Sequence, residues 1–157
     1  MMKKLLFSAG LLFFFCSAQI NFAQTRAAVG AAEVNGTFRS YFSGKNKGSY
    51  NEIKFLALGG GKLRVAFDLV YPYTMANGEP MANVGTAEGT ALIDGDTATF
   101  TPSETEGCTI TIKFVRRGTI EVSQEGESEC GFGNNVSSRG TYKKSSNAKP
   151  KFNGANQ

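Results

Sequence analysis

Histidine is absent from this 157-residue chain. That excludes a Ser-His-Asp triad, an imidazole-based zinc site and an iron site built on two histidines and a carboxylate. Cysteine is scarce, with only Cys16, Cys108 and Cys130. No two of them stand in a Cys-x-x-Cys pair, so a thioredoxin-type redox motif is excluded as well. Positive charge is missing from one long stretch. Between Arg64 and Lys113 there is no Lys or Arg, whereas Asp68, Glu79, Glu88, Asp94, Asp96, Glu104 and Glu106 all fall there. Long apolar runs are missing too, with one exception. Residues 5–15 are apolar apart from Ser8 and Gly10, which is too short to span a bilayer.

That run follows Lys3 and Lys4 and reads as the core of an export signal. Residues 1–23 are expected to form it, with cleavage after Ala23 or, second, after Ala18. Cys16 follows Phe14 and Phe15, where a lipobox wants small residues, so a lipoprotein is not expected. Periplasmic or secreted localisation follows, with no transmembrane segment. Cys108 and Cys130 are then an even pair in an oxidising compartment, which reads as a disulfide. The loop that it closes is worth roughly 3 kcal/mol in chain-entropy terms.

Residues 24–34 read as a linker, 35–145 as the folded domain and 146–157 as a disordered basic tail carrying Lys149 and Lys151. The tail is a solvated end, and no nucleic-acid partner is expected. From Gly36 onward no helical period of useful length occurs. Strand-like alternation is cut at short intervals by Gly, Asn-Gly, Asp-Gly or Pro. Eight strands are predicted, over 37–42, 51–58, 62–71, 85–93, 96–101, 108–115, 119–124 and 139–144. The third is clearest, with Leu63, Val65, Phe67, Leu69 and Tyr71 on one face and Lys62, Arg64, Ala66 and Asp68 on the other. Gly59-Gly60-Gly61 turns the chain into it. In the strand over 85–93 neither face is decisively apolar, and Gly89 is expected to mark a bulge. Strands joined by short connections pair in order, so the fold is all-β, most naturally an eight-stranded antiparallel up-and-down barrel. A two-sheet sandwich is the alternative. Phe38, Phe55, Phe67, Phe100 and Phe114 are expected to fill the interior, and Phe132 in Cys-Gly-Phe-Gly to plug one end of the core.

Candidate chemistry is thin. Gly-Gly-Gly-Lys at 59–62 lacks the first glycine and the Ser or Thr of a phosphate loop. Asp94-Gly95-Asp96 reads as a turn rather than a metal site. No spacing singles out two catalytic carboxylates, so no catalytic residue, metal or cofactor is assigned and an enzyme is not expected. The longest connection, 72–84, carries two prolines, Asn77-Gly78 and two methionines. Tyr73, Met75, Asn77, Glu79 and Met81 are its candidate binding residues. The expected partner is a protein or glycan, with the acid-rich middle of the chain suiting a basic protein, and the chain is expected to be a monomer. A carrier of a small apolar ligand in the barrel mouth and a carboxylate-based hydrolase are the alternatives.

Gly36-Thr37-Phe38 opening the first strand, the eight-strand meander and Gly140-Thr141-Tyr142 closing it resemble calycin-type small secreted barrels. Phe38 stands where the lipocalin Gly-x-Trp signature has its tryptophan. In size, export and disulfide use the chain is also similar to periplasmic lysozyme-inhibitor barrels. Of their Ser-Gly-x-x-Tyr motif it has Ser43-Gly44, followed by Lys45-Asn46-Lys47. Residues 108–142 look like secreted bacterial proteins without an assigned activity. The resemblance implies a small barrel that acts by loop-mediated, inhibitor-like binding or by holding a small ligand.

Overall fold

The computed structural model describes residues 28–103, 105, 107–126 and 130–152. The expected export signal and Cys16 lie outside them. Eight strands run in sequence order: β1 (Gly36–Tyr41), β2 (Tyr50–Gly59), β3 (Lys62–Thr74), β4 (Pro80–Asp94), β5 (Thr97–Phe100), β6 (Thr109–Arg116), β7 (Thr119–Glu125) and β8 (Gly140–Ser146). Each pairs antiparallel with the next, and β8 pairs with β1 to close a barrel. Closure leaves no terminal strand without a neighbour.

The inward face carries the predicted aromatics. Phe38, Phe55, Phe67, Phe100 and Phe114 are all buried, as are Phe132 and Tyr142. They pack in two groups. Phe38, Phe55 and Phe114 meet edge to face, with centroids 5.5 to 6.3 Å apart. Phe67 stacks on Phe100 at 5.3 Å and touches Phe132 at 5.9 Å.

One wall makes room for the second group. On β4 the inward positions are Gly85, Ala87, Gly89, Ala91 and Ile93, nearly all small. A Cβ at Gly89 would lie 2.9 Å from the Phe100 ring, and one at Gly85 would lie 2.3 Å from the Phe132 carbonyl oxygen. The pairing of β3 with β4 runs unbroken from Lys62↔Leu92 to Thr74↔Pro80, so the bulge expected at Gly89 is not there. Gly89 is small because an aromatic ring occupies the space.

Both ends of the barrel are covered. At one end the segment expected to be a linker forms a short helix, α1 (Ala31–Val34), which buries Val34. The Val29 amide donates to the Gly95 carbonyl, and Lys144 Nζ donates to the carbonyls of Ala32 and Asn35. At the other end residues 130–138 fold over the mouth and bury Cys130, Phe132, Val136 and Ser138. The Cys108 and Cys130 sulfurs are 2.02 Å apart, so the expected bridge ties the start of this cap to the foot of β6. Tyr142 Oη donates to the Ser138 carbonyl at 2.8 Å, and Gln124 Oε1 accepts from the Ser138 amide and hydroxyl. Burial raises the Tyr142 phenol well above its ordinary pKa, against a smaller opposing effect of the Asn51 side chain.

Past β8, where a disordered tail was expected, Phe152 is half-buried with the Arg64 guanidinium 4.8 Å from its ring centroid.

Candidate functional site

Residues 72–84 are not the loop that the prolines suggested. β3 continues through Thr74 and β4 begins at Pro80, with Pro72↔Ala82, Tyr73↔Met81 and Thr74↔Pro80 paired. The true turn is short. The Met75 amide donates to the Glu79 carbonyl at 2.9 Å, and the Gly78 amide donates to Met75. Asn77 Oδ1 accepts from the Glu79 amide, and Asn77 Nδ2 donates to the Glu79 carboxylate at 2.8 Å. Gly78 has φ +89°, a left-handed conformation suited to glycine in such a turn.

The prolines fit for a geometric reason. The Val70 amide points toward β2, where it donates to Asn51 Oδ1. Backbone groups alternate sides along a strand, so the nitrogen of Pro72 points the same way, beyond the start of β2. The nitrogen of Pro80 likewise points away from β3. Neither proline removes a bond from the ladder.

The result is a two-stranded arm. β2 reaches only as far as Tyr50, so β3 and β4 outrun their neighbours. Asn46 Nδ2 contacts the Pro72 carbonyl at 3.5 Å, and Asn83 Nδ2 donates to the Asn134 carbonyl at 2.8 Å, which ties the arm to the cap. All five candidate residues lie on the arm. Tyr73 and Met81 face each other across the strands, while Met75, Asn77 and Glu79 make the tip. Tyr71 shares the face of Tyr73 and is 40 % exposed, Met75 44 % and Met81 48 %. Sequence alternation placed Tyr71 in the core stripe. It is exposed because the strand has left the barrel by that point, and strand length relative to neighbours is not written in a local pattern.

A second surface was not anticipated. On the outer face of β1 and β2, Tyr41 and Tyr50 pack at 5.5 Å, and the Arg39 guanidinium lies 4.1 Å from the Tyr50 centroid. Arg39 pairs with Glu52 at 2.6 Å, and Lys54 bridges Glu52 at 3.2 Å and Asp68 at 2.9 Å. The Glu52 hydrogen bond holds Arg39 above its ordinary pKa. Beside this network a shallow groove of about 480 Å³ is lined by Tyr50, Glu52, Asp68, Val70 and Val84 among others. The available signal was the alternation of Arg39 with Tyr41 and of Tyr50 with Glu52, which places each pair on the outer face.

Several of the acids in the cation-free stretch are engaged. Asp68 pairs with Lys54, Glu88 pairs with Arg64 at 2.5 Å, and Asp96 is buried and accepts from the Thr97 hydroxyl. Comparison with protein-family models, with curated proteins and with solved structures finds no match to this chain.

Proposed function

We infer that this chain is an exported, non-catalytic barrel that binds a partner protein through the β3–β4 arm, in an inhibitor-like manner. The observation that carries this reading is the arm itself. Tyr71, Tyr73 and Met81 are presented on a paired, backbone-bonded scaffold, with Met75 at its tip. Tyrosine supplies contact area at little entropic cost, and methionine adapts to an irregular partner surface. Exposed apolar side chains grouped on one projecting element are what a recognition surface requires. The interior favours this reading over the carrier of a small ligand, because seven aromatic side chains are buried there.

The test is cross-linking of the purified protein to a periplasmic or secreted extract, repeated with Tyr73→Ala/Met81→Ala. A saturable partner that is lost from the double variant, with unfolding temperature unchanged, supports the arm. Equal recovery by both proteins, or no saturable partner for either, overturns it.

A glycan reading has one specific observation behind it. Tyr50, with Glu52 and Asp68 beside it in a shallow groove, offers a ring for a sugar face and acceptors for hydroxyls. Glycan-array binding that disappears with Tyr50→Ala but survives the arm variant would place recognition there instead.

A further inference from the structure

The barrel closes, but one of its strands is covered along only part of its length. The Ile93 amide donates to the carbonyl of Gly61, just before β3. In an antiparallel ladder the odd-numbered residues of β4 therefore turn their N–H and C=O toward β3, and Thr86, Glu88, Thr90 and Leu92 turn theirs the other way. On that other side β5 pairs only with Leu92, Ile93 and Asp94. β5 ends at Phe100, and its pairing with β4 does not continue past Leu92↔Thr99. Farther along, the cap crosses at Phe132, Gly133 and Asn134, held by Asn83.

Between these two limits the backbone groups of Thr86, Glu88 and Thr90 make no backbone hydrogen bond with any described residue outside the ladder to β3. All three residues are exposed. Alongside runs a groove of about 390 Å³, lined by Thr86 and Glu88, by Pro102 and Thr105, by Cys130, and by Phe152 of the segment past β8.

We propose that this groove is a strand-addition site, in which an extended segment of a partner protein pairs with the outer edge of β4 from Thr86 to Thr90. Alternating donors and acceptors at strand spacing are matched by another extended backbone. The charges lining the groove are balanced and mostly paired, Lys54 with Asp68 and Glu88 with Arg64, with Lys151 beside them, so backbone pairing and not charge defines the segment. Side chains of the added strand would lie beside Thr86, Glu88 and Thr90 on the outer face. The inference takes the class of partner from the protein-binding reading, but it does not use the arm.

The test uses the full chain and a labelled seven-residue peptide of alternating Thr and Val, with a control that carries N-methyl groups on the amides of one edge. Expected are binding by fluorescence anisotropy, slowed hydrogen exchange at the Thr86, Glu88 and Thr90 amides, and about tenfold weaker binding of the control. Thr86→Pro removes an edge amide without touching the β3 ladder, so it should lower affinity by a similar factor. If that variant fails to fold, Thr90→Pro serves the same purpose, and the N-methylated peptide needs no variant. Absence of binding at about 1 mM peptide overturns the proposal, as does equal affinity for the N-methylated control. So does binding that leaves those three amides unprotected. Tyr73→Ala/Met81→Ala should bind the peptide like the parent chain. A partner lost with the arm variant but kept with Thr86→Pro would sink the strand-addition site and leave the arm reading standing.

Discussion

Gly85 and Gly89 show how much of this core is decided by what a residue lacks. A methyl group at Gly89 meets the edge of the Phe100 ring, a side chain that can tilt. At Gly85 it meets the backbone of Phe132, which can move only with the cap. Overpacking of this kind costs about 1 to 3 kcal/mol. Gly85→Ala should therefore destabilise more than Gly89→Ala, and urea unfolding of the two variants checks the order. Tyr142 makes a different prediction. Its phenol has a raised pKa in the folded state, so it keeps its proton when the unfolded chain, titrating near the ordinary value of 10.0, loses its own. The stability so contributed is complete below that value and is lost as pH rises above it toward the folded pKa. Unfolding temperatures measured from about pH 9 to about pH 12 should fall more steeply for the parent chain than for Tyr142→Phe. Equal slopes would show that the phenol is not responsible.

At the scale of elements, the bridge and the cap act together. Cys130 begins the segment that carries Phe132 into the core, so removing the bridge releases one end of that segment. Cys108→Ser/Cys130→Ser should cost about 2 to 4 kcal/mol, and Phe132→Ala about 3 to 5 kcal/mol. Because both changes loosen the same cap, their combination should cost less than the two effects added, and denaturant titration of the three variants measures the difference. Legibility in the sequence varied with the element for physical reasons. β3 was readable because Leu63, Val65, Phe67 and Leu69 alternate with polar residues and are buried accordingly. β4 was not, because its inward face is glycine and alanine, and the bulk facing it comes from Phe100 and Phe132 elsewhere in the chain. The arm was named by its residues yet mistaken for a loop. Pro72 and Pro80 are strand breakers in general, and only the unequal lengths of β2, β3 and β4 make their positions harmless.

For the whole molecule, eight in-order strands with short turns implied closure, and the register supplied what a pattern cannot, including which strand is left partly uncovered. The contacts are dominated by neighbouring strands, with the β1–β8 pairing as the exception that closes the circle. A filled barrel should not take up an apolar probe. Incubation with a fluorescent fatty acid should give no saturable signal for the parent chain. Phe132→Ala should gain one if it remains folded, because the side chain it removes lies against Phe67 in the core. Uptake by the parent chain would restore the carrier reading.

That last variant points to a plain mechanical description of the cap. Phe132 sits at the mouth, where a cargo molecule would enter, on a short tether pinned by Cys130 at one side and by Ser138 and Tyr142 at the other. The vessel carries its own stopper as part of the same chain. A guest would have to displace a group that cannot diffuse away, and whose effective concentration at the mouth no free ligand matches.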